Sequence, residues 1–599
     1  MFIKKNALAV LLLAGLPGPI VAAETDTYDL KPNLVVTPSR RIETLDDALA
    51  SVSVITREDI EVSAARDLAE LLRLLPGVDV VRSGGPGSQV SVFLRGSNSN
   101  HVLVLIDGVR ASSSNTGAYV WEQLPLNQVE RVEVVRGPRA SIYGSDSMGG
   151  VIHVITRSDP APYARLTFGS FGTGALEGGL GYRGEQGRFS LNAGYRNVDG
   201  FSAQNPNGFS YDPDDDGFET ANIGLKGRTR LGFGTLRFSL LALANETEFD
   251  QGVSKTDQTI MSLAFDGSIS ERWDYQLITG HVSEELGSDF GFFETGFDSE
   301  RTQFSWQNQY ATANDHRLSF GLDWYSEQGR SLGSWNESRR NTGLFADWDH
   351  DAGSLHSQLS ARWDDNSEFG SEMTGQAALS WAMGEHWSAR ASYGSAFRGP
   401  NLNEQYSPGF GGLFAGNPDL DPESSRTAEV GLNWRPSNRS ALSVSAYRTE
   451  ARDLIAFTGK NFRAINIDEA RLKGLEFDYR MSSSDWDFGV NATLQDNKDL
   501  VTGNALLRRP DRKASMTVDR RFGDGSWLGI EWIYIGDRLD FGGIRLDSYQ
   551  LVNLRGGWRF HPAWQAEIRG ENLADQAYDP AWGFNAAGRS WILSLAWIP

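Results

Sequence analysis

The chain is 599 residues long, 40% hydrophobic and 22% charged, with a formal net charge of −21. Such a composition buries a large core and excludes a disordered chain, and its acidity makes it a poor binder of nucleic acid. The lack of cysteine excludes a disulfide scaffold, a thiolate metal site and a cysteine nucleophile, while 65 glycines, 18 Trp and 17 Tyr suit many turns and interfacial aromatic belts better than long helices.

In chain order, Lys4 and Lys5 precede an apolar run from Ala7 to Leu16, closed by Pro17 and Pro19 and a small-residue site at Val21-Ala22-Ala23. This is the layout of a secretory signal peptide over residues 1–23, too short for a spanning helix of about 20 residues. It carries two lysines and no acid, so its removal leaves the mature chain still more acidic. Residues 24–45 read as a polar arm containing Asn33-Leu34-Val35-Val36-Thr37-Pro38. The β-branched core favours an extended chain, and Pro38 steers Thr37 away from helix. Read alone, this segment fits an ordinary first strand as well as a strand-pairing motif.

A small mixed α/β domain is expected over residues 46–158. Ala65–Leu75 has helical spacing and stops at Pro76-Gly77. Short valine-rich runs (Val102 to Ile106, Val132 to Val135, Val151 to Ile155) then alternate with turns bearing Arg-Gly or Asp-Gly steps. Arg95, Arg136 and Arg139 sit beside these kinks, where a charge is exposed or paired.

From residue 159 onward the pattern changes to a period of two. Phe189, Leu191, Ala193 and Tyr195 share one face, while Arg188, Ser190, Asn192 and Arg196 share the other. Leu236, Phe238, Leu240 and Ala242 repeat the pattern, as do Leu442, Val444 and Ala446. Trp564, Ala566 and Ile568 oppose Gln565, Glu567 and Arg569, and Trp591, Leu593, Leu595 and Trp597 close the series with an aromatic residue at each end. One apolar and one polar face per strand, repeated behind a signal peptide, predict a membrane barrel over 159–599. Roughly 22 strands leave about 20 residues for each strand and its connection, enough for spans of about 9–11 residues.

Asp212-Pro213-Asp214-Asp215-Asp216-Gly217 spaces carboxylates as at the start of an EF-hand, but Ile223 stands where the bidentate Glu belongs. A calcium ion here needs further oxygens, which Asn245, Glu246, Glu248 and Asp250 can offer; the alternative is a solvated acidic loop. Eight histidines are scattered, and no HExxH, GxSxG or phosphate-binding loop occurs, so no catalytic residue is assigned.

Leu74-Leu75-Pro76-Gly77-Val78, Leu94-Arg95-Gly96, Val104 through Val109 and Glu133 through Gly144 resemble the plug of TonB-dependent outer-membrane transporters. Ala396 through Leu402, Gly416 through Glu423, Gly474-Leu475-Glu476 and Glu571-Asn572-Leu573 extend the resemblance over nearly the whole mature chain. Ser97 through His101 leans towards the cobalamin-transporting members over ferric-siderophore receptors. The resemblance implies an all-β transmembrane barrel of about 22 antiparallel strands with the mixed α/β plug in its lumen. It implies a monomeric, multi-pass protein of the Gram-negative outer membrane, a transporter and not an enzyme. Asn33–Pro38 would be the TonB box, pairing by strand addition with the periplasmic domain of TonB, which ExbB and ExbD energise from the proton gradient. Cobalamin would touch Gln89, Ser91, Asn98, Asn115 and Thr116. Calcium at Asp212, Asp214, Asp216, Asn245 and Asp250 would order that site, with no catalytic cofactor. Three departures stand out: Gln89 replaces a leucine, the 111–125 loop aligns only with a one-residue gap, and the chain ends Trp597-Ile598-Pro599 where an aromatic residue is usual. A passive porin would lack plug and box, and a secreted hydrolase or adhesin would need a catalytic or adhesive grouping.

Overall fold

The computed structural model describes residues 34–312, 315–409, 413–458 and 462–599. The expected signal peptide and most of the arm, Asn33 included, lie outside the described residues. Twenty-two antiparallel strands form one closed barrel, from Tyr163–Gly169 to Ser590–Trp597. Closure is made by pairing these two strands, Ala164 opposite Trp597 through Gly169 opposite Ile592. No barrel strand is left with an open edge, as a bilayer requires of backbone donors and acceptors. Pro599 costs no ladder bond, because Trp597 is the last paired residue and the Ile598 amide already donates to Ala563 O at 2.9 Å.

The period of two turns the strands inside out relative to a water-soluble sheet. In the third barrel strand, Gly187–Phe201, Ser190 and Asn192 are buried towards the lumen while Phe189 and Tyr195 are more than 40% exposed on the outer surface. The last strand does the same: Leu593 and Leu595 face out, and Ile592, Ser594 and Ala596 face in. The outer exposure is exposure to lipid. Leu593→Arg is therefore expected to cost about 2–4 kcal/mol near the bilayer midplane. Reversible urea unfolding from lipid vesicles measures it, and a neutral result would contradict the outward assignment.

Strands of up to 20 residues, such as Arg463–Ser482, exceed the span of the bilayer and rise above it. Short turns at one rim (Gly184-Glu185-Gln186, Gly232-Phe233) alternate with long connections at the other, including 202–215, 399–422, 500–511 and 572–589. The first barrel strand leaves the plug at the short-turn rim, which is thus the periplasmic one.

The plug fills the bore. Its five-stranded sheet has the order Ser51–Ile55, Val129–Arg136, Gly150–Thr156, Val102–Ile106, Val109–Arg110. One pair, Val102–Ile106 with Gly150–Thr156, is parallel, so Val102–Ile106 is buried on both faces, as its unbroken apolar sequence demands. The expected helix at Ala65–Leu75 is shorter, Leu68–Arg73, because Asp67 caps it by accepting from the Glu70 amide at 3.1 Å. A second helix, Arg57–Val62, completes the layer that covers the sheet.

Candidate functional site

Three loops carry the plug to the extracellular rim. The first, 83–89, packs its glycines against Phe201, Phe218 and Thr247, and Thr247 Oγ1 donates to Gly87 O at 3.3 Å. Gln89 at its end is exposed and Ser91 half-buried. The second, 95–101, lies under the long 500–511 connection. There Arg509 Nη2 donates to Asn98 Oδ1 at 2.7 Å, and the guanidinium sits 3.8 Å from the centre of the Phe93 ring. The third, 112–118, is covered by the short helix Leu402–Tyr406, whose Leu402 and Asn403 amides donate to Ser114 O and Asn115 O at 3.1 Å each. Of the expected contact residues, Gln89, Asn98 and Thr116 are exposed, whereas Asn115 is only 2% exposed and donates through Nδ2 to Asp298 O at 2.9 Å. The geometry thus gives Asn115 an anchoring contact with the barrel and leaves Thr116 open.

The acidic loop stands at the same rim. Asp212 and Asp214 are exposed, while Asp216, Asn245 and Asp250 are buried. Asp250 Oδ1 accepts from the Asp212 amide at 2.8 Å, Asp216 Oδ2 from the Ala203 amide at 2.5 Å, and Glu248 Oε2 from the Gly217 amide at 3.0 Å. Asp250 Oδ2 and both amide atoms of Asn245 are buried without a hydrogen-bond partner. The unpaired buried oxygen of Asp250, beside Asp216 and Glu248, fits a hard cation, whereas Asn245 sits on the rung of Thr220, down the strand from Asp216 and away from the expected ligand cluster. Among the described residues, however, no three carboxylates or imidazoles already converge on one point, so a cation would have to draw the loop in.

At the periplasmic end, Leu34–Val35 forms a short strand paired with Glu43–Thr44, and Val35 and Thr37 are fully buried. One oxygen of Glu133, Oε2, accepts from the Val36 amide at 3.0 Å, the Thr37 amide at 2.9 Å and the Thr37 hydroxyl at 2.7 Å. Its other oxygen accepts from Arg131 Nε at 3.0 Å, and Arg131 also donates to Leu34 O. Tyr143 Oη donates to Thr37 O at 3.0 Å. Just past Pro38, Arg40 makes a two-pronged contact with Asp323 of the ninth barrel strand at 2.9 and 3.0 Å. The extended segment is therefore folded against the plug and tied to the barrel wall. Beside it runs a cavity of about 900 Å³ lined by Val36, Arg40, Gly108, His153, Lys226 and the periplasmic turn at Phe233.

Between the two ends, charged groups from plug and barrel interlock. Arg95 Nε and Nη2 donate to Glu476 at 2.8 and 2.9 Å, and Nη1 donates to Glu429 at 2.7 Å. Ser51 and Arg390 join Glu429, and Arg136 lies 3.4 Å from Glu476. Nearer the extracellular side, Glu423 takes Arg398 at 2.5 Å and His101 at 2.7 Å. Burial is the largest single influence on the Arg95 guanidinium and lowers it, but Glu429 and Glu476 together outweigh burial and hold it well above its ordinary value. Gly77 makes room for this cluster: its φ is 68°, and a Cβ there would lie 2.1 Å from Glu476 Oε1. The plug arginines stand out in the chain beside their kinks, whereas their partners lie hundreds of residues away. The only signal was that Glu429 and Glu476 fall on the inward rungs of their strands.

Comparison with known proteins agrees with this architecture. The family described as "TonB-dependent Receptor Plug Domain" matches residues 44–151, and "TonB dependent receptor-like, beta-barrel" matches residues 167–573. The chain is 30% identical to a vitamin B12 transporter BtuB of Photobacterium profundum, covering 99% of this chain and all of that one. It is 31% identical to the BtuB of Vibrio cholerae serotype O1 over the same shares. Among solved structures, the ferric enterobactin receptor PfeA of Pseudomonas aeruginosa superposes with a TM-score of 0.77 at 18% identity, covering 91% of this chain and 98% of that one.

Proposed function

Because the chain belongs to the TonB-dependent receptor family, and so resides in the outer membrane of a Gram-negative bacterium, we propose that it imports cobalamin or a related corrinoid. The family is one of receptors rather than of enzymes. What carries the reading is the end-to-end likeness to proteins named as vitamin B12 transporters. The likeness to a ferric enterobactin receptor, at 18% identity, speaks for the fold alone. The rim chemistry suits the cargo: Gln89, Asn98 and Thr116 offer amide and hydroxyl groups to a corrin periphery rich in amides. A plugged bore offers no free diffusion path, so passage needs work on the plug. Leu34–Thr37 is the segment for the TonB periplasmic domain to pair with, with Asn33 and Pro38 flanking it, once its contacts to Glu133 are released.

Calcium fits the acidic rim as a resident ion. Asp212, Asp214, Asp216 and Asp250 would hold it, and its charge would neutralise the crowded carboxylates and fix the 202–215 loop over the plug loops. Purified receptor should bind cyanocobalamin more tightly than a ferric siderophore, and calcium should tighten that binding in equilibrium titrations. Asp214→Ala combined with Asp216→Ala should weaken binding only when calcium is present. A siderophore preference would reassign the cargo, and a calcium titration unchanged by the double substitution would remove the metal.

A further inference from the structure

The strand–turn–strand unit Val102–Arg110 is the covalent link between two of the rim loops and the periplasmic half of the plug. Val102–Ile106 descends from the 95–101 loop, and Val109–Arg110 climbs back to the 112–118 loop. Its lower turn, Asp107-Gly108, has φ of 48° and 85°, the two left-handed residues of a type I′ hairpin. Asp107 is held by Lys226 Nζ at 2.5 Å and by the Thr156 amide at 3.1 Å, which makes the turn a pivot.

From that turn, hydrogen bonds lead straight to the extended segment. The Gly108 amide donates to His153 Nε2 at 3.1 Å, and His153 Nδ1 lies 3.2 Å from Thr37 Oγ1. Nε2 is thus an acceptor, so the single ring proton sits on Nδ1 and is donated to Thr37 Oγ1. The Thr37 hydroxyl in turn donates to Glu133 Oε2. All donors and acceptors are satisfied by this one arrangement, with the imidazole neutral. In the sheet, His153 stands between Glu133 on one neighbouring strand and Leu105 on the other.

We propose that His153 is the positioning residue that couples the cargo-side hairpin to the TonB-pairing segment. Displacement of the hairpin by cargo moves the Gly108 amide off Nε2 and frees the ring to leave Thr37. The Glu133 clamp then loses one of its supports, and the segment becomes available from the periplasm. The coupling rests on the transport reading given above but runs through Gly108, His153, Thr37 and Glu133, none of which is a rim residue. The charged groups facing the ring are Glu133, Asp107 and Arg131 from the plug and Lys226 from the barrel. Burial holds the imidazole below its ordinary value, against the pull of Glu133 and Asp107. The neutral form therefore prevails at neutral pH. Release lets the ring return towards its ordinary value of about 6.5, so as the pH falls through that value protons favour the released form, in which a proton on Nε2 opposes the Gly108 amide.

The chain has no native cysteine, so Leu34→Cys carries a unique nitroxide spin label that reports docked and free populations of the segment. In purified full-length receptor at pH 7.5 without cargo, His153→Ala should raise the free-to-docked ratio about five- to tenfold, the effect of losing one buried hydrogen-bonded link. His153→Gln, whose amide still accepts from Gly108, should restore a near-parental ratio. The parent's free population should grow between pH 7.5 and 5.5, and that of His153→Gln should not. Cyanocobalamin should free the segment in the parent and add little in His153→Ala. An unchanged ratio in His153→Ala, or a pH profile shared by parent and His153→Gln, would overturn the coupling. If cyanocobalamin has no effect on any variant while the pH and substitution results hold, the cargo assignment fails and the coupling stands.

Discussion

Arg95→Ala is expected to cost the docked plug about 1.5–3 kcal/mol, because it removes the charge-assisted hydrogen bonds that join the plug to buried Glu429 and Glu476, which keep Arg390 and Arg136 as counter-charges. The two-pronged contact to Glu476 and the single contact to Glu429 sit where the side chains of Arg95 and Glu476 are 4% and 2% exposed. Water cannot replace the lost partner there. Arg95→Lys should recover only part of the loss, since one ammonium cannot serve both carboxylates with a planar fork. Hydrogen exchange of the Val90–Leu94 and Val102–Ile106 amides measures the effect, and planar-bilayer conductance reports whether a loosened plug leaks ions. Wild-type protection in Arg95→Ala would show that apolar packing, not charge, retains the plug.

The second large effect is Val36→Pro. Proline removes the amide that donates to Glu133 Oε2 at 3.0 Å and the amide that an added strand would need. Uptake of cobalamin into cells should fall by about a hundredfold or more, as expected when strand pairing is blocked outright. Cargo affinity of the purified receptor should not fall, since the rim loops lie at the other end of the plug and a loosened segment favours the cargo-bound form. Normal uptake by this variant would refute the role of the segment as the point of coupling. Loss of cargo binding would instead show that the segment supports the rim loops directly.

Much of the molecule was legible in the chain because the environment imposes its period. Phe189, Ser190, Leu191 and Asn192 alternate because lipid and a polar lumen face opposite sides of one strand, and the structure keeps that assignment. The valine-rich Val102–Ile106 run announced a short strand, and its burial on both faces came with the parallel pairing to Gly150–Thr156. Element ends were less legible. Ala65–Leu75 has helical spacing throughout, yet Asp67 prefers the cap and shortens the helix to Leu68–Arg73. Among rim residues, exposure separated Thr116 from Asn115, a distinction that depends on the Leu402–Tyr406 helix packing from far along the chain.

Family resemblance marked the candidate segments at both ends of the plug, while the sequence by itself determined the class of fold and, along the strands that show the alternation, which residues share a face. These follow from local preferences and from a period of two, which need no knowledge of distant neighbours. The tertiary structure alone decided who partners whom: Arg95 meets Glu476 across 381 positions, and Thr37 meets Glu133 across 96. Such pairs exist only once the sheet closes on itself and the plug seats inside it, because charges and hydrogen bonds act over a few ångströms of space regardless of separation along the chain.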